Sequence, residues 1–124
     1  SRFVASEESS AHINFKNKVI EAKDGDTLLT LKELAPVRLL KNKFSNDVLE
    51  LYKSNPSKQD LIDLLGRARA KRGMFEGDLE AGELEIGQAS SQINRVFTAQ
   101  EIVQQIMTEF NSIKSQMSII NNFN

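Results

Sequence analysis

Apolar residues recur at helical spacing most clearly near the C-terminus, where Ile102, Val103, Ile106, Phe110, Ile113 and Met117 fall three and four apart. This stripe predicts an amphipathic helix that needs an apolar surface to lie against. Just ahead of it, Thr98-Ala99-Gln100-Glu101 has capping-box spacing, in which a hydroxyl and a carboxylate satisfy each other's backbone N–H groups. The helix is expected to start there, and its tail, Asn121 to Asn124, to fray.

Upstream the pattern breaks into shorter pieces. Arg2-Phe3-Val4-Ala5 reads as a short strand, followed by a polar cluster from Ser6 to Ser10. Ser9 or Ser10 can cap a helix running to about Lys23, with Ile13, Val19, Ile20 and Ala22 on its buried side and Asp24-Gly25-Asp26 as its stop signal. Thr27 to Leu31 suits an extended piece. Pro36 then breaks the chain, and beyond it Leu40 and Phe44, four apart, fit one helical face. Ser45-Asn46-Asp47 can start a helix carrying Val48, Leu49 and Tyr52. Asn55-Pro56-Ser57 separates it from a second helix, with Leu61, Ile62, Leu64, Leu65 and Ala68 on its apolar side. A helical hairpin is the result. Ala89 to Val96 predicts one further short helix.

Between the hairpin and that helix, Gly73 to Gln88 holds four of the six glycines, separated by acidic and large apolar residues. A flexible linker would be Gly/Ser-rich and featureless, so this segment predicts a shaped loop whose side chains pack while the backbone turns sharply. Loops of this kind often border a site.

Composition narrows the classes. The 124 residues suffice for one domain with a modest core, and 16 basic against 17 acidic residues leave a formal charge of −1. No whole-chain field recruits nucleic acid or an anionic membrane. The absence of cysteine excludes disulfides, thiolate metal sites and cysteine nucleophiles, and agrees with a cytoplasmic location. No run reaches membrane-spanning length and no signal peptide is visible. The first residue is Ser1, not methionine, which suggests part of a longer protein or a processed product.

Charged clusters offer little specific chemistry. Asp78, Glu80, Glu83 and Glu85 alternate with apolar residues and lack calcium-loop spacing, so a solvated acidic edge is expected in place of a divalent metal site. Arg67, Arg69, Lys71 and Arg72 have no interleaved aromatic platform and read as a solvated helix end, with an RNA or carrier-protein contact as the alternative. His12 reads as a surface or capping residue.

Several separated motifs in one order carry a resemblance: Arg2-Phe3, Glu7-Glu8-Ser9 with Ala11-His12, Lys18 to Lys23 with Asp26-Thr27, Pro36-Val37-Arg38, Leu40 to Phe44, Glu76-Gly77-Asp78 and Gly87-Gln88. From Ser1 to about Phe110 the chain resembles the C-terminal part of the FMN-dependent enoyl-acyl-carrier-protein reductase II and nitronate monooxygenase (2-nitropropane dioxygenase) family. The resemblance implies an α/β fold: a mostly helical C-terminal fragment of a flavin TIM barrel with a lid subdomain and little strand. Residues 1–24 would hold the end of the last barrel strand and the following helix, 25–86 the lid, and 87–124 the returning helices.

The implied activity is NADH- or NADPH-dependent reduction of an enoyl thioester through FMN in fatty acid synthesis, or, in the other branch, nitronate oxidation. The family's catalytic histidine sits in a motif that nothing here matches, so no catalytic residue is assigned. Ser1 aligns with a family threonine and becomes the candidate phosphate donor, although the glycine that precedes it in the family is absent here. Gly87 and Gln88 match the Gly-Gln that approaches the flavin, the glycine by close approach and the glutamine through its amide. Some members hold a monovalent cation near this loop through backbone carbonyls. Implied partners are the rest of the barrel, an acyl-carrier protein and a second copy in a homodimer, with Arg38 and Lys41 facing either the carrier protein or the cofactor's phosphates. A non-enzymatic helical interaction module, using the stripe from Ile102 to Met117, is the alternative.

Overall fold

The computed structural model describes the backbone of residues 2–121 and the side chains of residues 2–118. A 3-10 turn at Arg2–Ala5 leads to α1 (Ile13–Glu21), the hairpin β1 (Thr27–Thr30) and β2 (Val37–Leu40), and the helices α2 (Lys43–Tyr52), α3 (Lys58–Leu65) and α4 (Arg69–Met74). A second 3-10 turn, Gln88–Gln92, precedes the long helix α5 (Ala99–Asn121).

Arg2–Ala5 is a turn where a strand end was expected. Without a neighbouring strand its N–H and C=O groups have no ladder to join, and Ser6 closes the turn by donating from both N–H (3.2 Å) and hydroxyl (2.8 Å) to the Phe3 carbonyl. Helix α1 starts later than the serines suggest. His12 is its N-cap, with Nδ1 accepting from the Asn14 N–H at 3.1 Å. Its inward face is Phe15 and Val19, both fully buried, while Ile13 is exposed.

The alternation of β2 sends consecutive leucines into different interiors. Leu40 joins Phe15, Val19, Ala22, Leu84, Ile86 and Ile93 on one side, while Leu39 joins Leu31, Phe44, Val48 and Leu61 on the other. Leu40 and Phe44 therefore share no helical face. Leu40 is in a strand paired with Thr27, and α2 begins only after Asn42 caps it. The segment after the glycine loop extends the hairpin: Leu40 N–H donates to the Leu84 carbonyl (2.9 Å), Ile86 N–H to the Arg38 carbonyl (3.1 Å), and Leu39 bridges Glu85. Leu31 closes the end of β1 with φ +53, an uncommon conformation for a bulky residue, held here by near-complete burial.

The glycine-rich segment is a shaped loop, as expected, although its first glycine lies within α4. Asn42 ties it down. While its Oδ1 caps α2 by accepting from Ser45 N–H (2.9 Å), its Nδ2 donates to the carbonyls of Leu79 (2.9 Å) and Gly82 (2.8 Å). One side chain thus joins helix start and loop.

Thr98 and Glu101 form the expected capping box: Glu101 N–H donates to the Thr98 hydroxyl (3.1 Å) and Thr98 N–H to the Glu101 carboxylate (2.8 Å). Of the α5 stripe only Ile102 is buried, and Val103, Ile106, Phe110, Ile113 and Met117 are 41–59% exposed. Of the tail expected to fray from Asn121 to Asn124, Asn121 is the last residue of α5, and residues 122–124 lie outside the described residues. Ala89 to Val96, expected to be helical, forms only the short 3-10 turn.

Candidate functional site

The bridge between Leu39 and Glu85 delivers the chain outward to Gly87, whose extended backbone (φ −77, ψ 163) starts the turn at Gln88. Any residue can adopt that conformation, so the distinguishing property of Gly87 is the bare peptide it presents. Gly87 and Gln88 are exposed, and among the described residues the Gln88 amide has no hydrogen-bond partner. Ser1, the third candidate, lies outside the described residues. Two residues beyond Gln88, the Ser90 hydroxyl is buried without a hydrogen-bond partner, a feature with no signal in sequence.

Gly87 and Gln88 fit a flavin as one edge of a site. A bare peptide and an uncommitted amide can donate to and accept from the polar rim of a planar heterocycle, but they face outward and do not enclose it. Nearby, a cavity of about 260 Å³ opens between Arg2, Ile93, Phe97, Ile102 and Glu109, with Arg2 and Glu109 paired across it at 3.6 Å.

The basic patch divides. Lys71 and Arg72 pair outward with Glu76 (3.3 Å) and Asp78 (2.5 Å), but Arg69 turns inward, contrary to the expected solvated helix end. Its guanidinium donates to the carbonyls of Leu65 (2.6 Å), Leu64 (2.9 Å) and Ala81 (2.8 Å) and lies over the Phe44 ring at 4.5 Å. Arg38 and Lys41 are committed to the hairpin, donating to the Thr27 hydroxyl (3.2 Å) and the Gly25 carbonyl (2.7 Å).

Five successive or near-successive backbone carbonyls of the loop are engaged within the protein. The carbonyls of Gly77, Leu79, Glu80, Ala81 and Gly82 each already accept from a protein donor, respectively Asn14, Asn42, Phe44, Arg69 and Asn42. Among the described residues no cluster of three or more His, Asp or Glu side chains could hold a metal. His12 spends its Nδ1 lone pair on its cap, and a Cβ at Gly77 would run into its ring.

The acidic edge is only partly solvated. Asp78 accepts from the N–H groups of Glu80 (3.2 Å) and Ala81 (2.9 Å), and these bonds, led by that from Ala81, with Arg72, hold its pKa below the ordinary carboxylate value. Glu83, in contrast, is 8% exposed, and burial, reinforced by the neighbouring Glu85 charge, pushes its pKa up. A raised folded-state pKa means that Glu83 favours folding most when both states are protonated, and that this contribution is lost as pH rises through the folded value. Glu83→Gln is therefore expected to be more stable than the parent at neutral pH, with the gap closing below the ordinary glutamate pKa. Urea melts of both chains at pH 4 and pH 7.5 check this, and an equal gap at both pH values refutes it.

Among the described residues no helix is long and apolar enough to cross a membrane. No curated protein matches the chain significantly. Among solved structures, FabK from Thermotoga maritima is similar with a TM-score of 0.81 and 30% identity, over 94% of this chain and 37% of that one. A methionine-to-alanine mutant of FabK from the same organism gives 0.77 and 28%, over 94% of this chain and 34% of that one. The chain thus spans little more than a third of those proteins, and its helical, strand-poor architecture corresponds to part of their TIM-barrel fold. The family model for nitronate monooxygenase matches residues 1–109. With that match over most of its length, the chain belongs to the nitronate monooxygenase family.

Proposed function

We propose that this chain is the lid-bearing portion of an FMN-dependent oxidoreductase that reduces enoyl-acyl-carrier-protein at the expense of NADH or NADPH. The observation that carries the reading is the joint likeness to the nitronate monooxygenase family over residues 1–109 and to FabK over 94% of the chain. The FabK likeness favours the reductase over nitronate oxidation. In this reading residues 1–24 lead from the barrel into α1, residues 25–86 form the lid, and residues 87–124 return to the barrel wall.

The chemistry that FMN supplies when bound is transfer of a hydride between the nicotinamide and the enoyl thioester. This chain's own residues would border that cofactor. Gly87 lets the backbone come close because it carries no side chain, and the Gln88 amide donates and accepts at the edge. The lid excludes water through a fixed base: Asn42 and Arg69 hold the loop carbonyls, so the approach to Gly87 is set by partly buried hydrogen bonds.

Flavin fluorescence is the direct test, titrated with this chain and with the longest native polypeptide containing it. Quenching by the longer protein, weakened about tenfold by Gln88→Ala, is the expected result. Absence of quenching by both would remove the flavin reading and leave the exposed α5 stripe as the basis for an interaction module. Reduction of the bound flavin by NADH or NADPH, and not by a nitronate, separates the two branches.

A further inference from the structure

Helix α5 changes character along its length. Written as heptads with Val103 at position a, Val103, Ile106, Phe110, Ile113 and Met117 alternate strictly between a and d in steps of three and four, and the sequence continues the series at Ile120. The flanking positions differ between the two halves. Ile102 at g and Met107 at e widen the stripe in the first turns, where Ile102 is buried in the body of the chain. Farther along, e and g are Glu109, Lys114 and Gln116, and between Thr108 and Ser118 the apolar residues occupy a and d alone. Phe110, Ile113 and Met117 are 55–59% exposed. A helix lying on a broad apolar wall carries a wide stripe, whereas a narrow a/d stripe is the seam of a helix paired with another helix.

We propose that the seam from Ile106 to Met117 pairs with the same segment of a second copy of this chain, parallel and in register. The groove on α5 has the shape this pairing needs. Phe110, Ile113, Lys114 and Met117 line an open hollow of about 410 Å³, with Ser118 at its end. These four are a, d, e and the next a, the set that forms the hole for a d side chain of a parallel partner, so Ile113 of each copy enters the hollow of the other. Charge sets the direction. Glu109 at g and Lys114 at e are five positions apart, the spacing that brings g of one helix against e of the other in a parallel pair. Among the described residues Lys114 makes no ion pair, and Glu109, 63% exposed, is held only at 3.6 Å from Arg2. An antiparallel pair sets g against g and e against e, which leaves both charges without an opposite. The wide first turns remain with the body of the protein, so this pairing is compatible with the return to the barrel wall and does not depend on flavin.

The chain has no cysteine, so single Ile106→Cys and Met117→Cys variants report the register by disulfide formation in air. Each is expected to link to its own kind. An antiparallel pair brings at most one of the two positions against its own copy, and non-specific association links Ser115→Cys, on the outward f position, equally fast. Sedimentation equilibrium is expected to show Lys114→Glu and Glu109→Lys each self-associating about fivefold more weakly than the parent, and an equimolar mixture of the two recovering the parent's affinity. The longest native polypeptide containing the chain is expected to dimerise with a Kd tighter than about 1 mM. A monomer there, in which its own upstream sequence covers the seam, would overturn the proposal. So would self-linking at fewer than both positions or equally at Ser115, or a mixture no tighter than its components.

Discussion

Gly82→Ala is expected to leave the chain largely unfolded at room temperature. A Cβ at Gly82 would overlap the Gly73 Cα and the Asp78 carbonyl oxygen, both backbone atoms that no rotamer change can move. Retreat is blocked on the far side as well, because a Cβ at Gly73 would itself lie 2.7 Å from Leu84 Cδ2 and 2.9 Å from the Glu83 carbonyl. The two glycines form a backbone-to-backbone contact clamped by Gly82 N–H to Asp78 O (3.1 Å) and Glu83 N–H to Arg69 O (3.1 Å). Moving α4 away would break the Glu83–Arg69 bond, and moving Gly82 instead would break its bond to Asp78 and the Asn42 tether. The cost should exceed about 4 kcal/mol, a large share of the ~5–15 kcal/mol that holds a domain together. Gly25→Ala is the contrasting case. Gly25 has φ +86 but open space around it, so only the left-handed backbone is penalised, by about 1 kcal/mol. Urea denaturation followed by circular dichroism ranks the two, and equal midpoints would show that the Gly73–Gly82 contact has no special role.

That contact also marks where sequence reading stops. The glycine-rich segment was recognisable as a shaped loop because large apolar residues interrupt its glycines, but nothing local says that Gly82 meets Gly73. Signals within four residues were legible. The Thr98–Glu101 box, the Asp24-Gly25-Asp26 turn and the break at Asn55-Pro56-Ser57 all depend on side chains reaching their own neighbouring backbone. The local exceptions are the starts of α1 and α2, capped by His12 and Asn42 where nearby serines offered competing caps; the other differences arise where the deciding partner is remote. Val37–Leu40 has helix-compatible spacing with Phe44, yet β1 and the Leu84–Ile86 segment supply its hydrogen bonds and make it a strand. Arg2–Ala5 failed in the opposite sense, a strand-like composition without a strand beside it.

The candidate site shows the same division. Gly87 and Gln88 could be named because a resemblance spread over separated motifs aligned them, and the chain brings them to an exposed edge. Neither the buried Ser90 hydroxyl nor the low exposure of Glu83 has a local signature. Glu83, Glu85 and Asp78 are equivalent letters in an acidic run. Packing of this segment against β2 leaves Glu83 8% exposed and Glu85 exposed, while Asp78 is in a turn that feeds it backbone N–H groups.

Arg69→Ala is expected to cost about 3 kcal/mol, with Arg69→Lys recovering little of it. Helix α3 ends at Gly66 (φ +65), leaving the carbonyls of Leu64 and Leu65 without intrahelical partners. The residue that satisfies them sits four and five positions downstream, after Ala68 turns the chain back through a left-handed conformation. The same guanidinium then reaches the Ala81 carbonyl in the loop and covers the Phe44 ring in the core. Truncation would leave three partly buried carbonyls unsatisfied at about 1–3 kcal/mol each before water relieves some of them, and would remove a cation–π contact of about 1 kcal/mol. Lysine carries its charge at one point and cannot serve three carbonyls while lying flat on an aromatic ring. Thermal melts of the three chains are therefore expected to place lysine near alanine. If lysine instead restores the parent's stability, charge and not the planar fork is what α3 and the loop require; if alanine is tolerated within about 0.5 kcal/mol, water replaces the guanidinium and the link between α3, the core and the approach to Gly87 is lost as an argument.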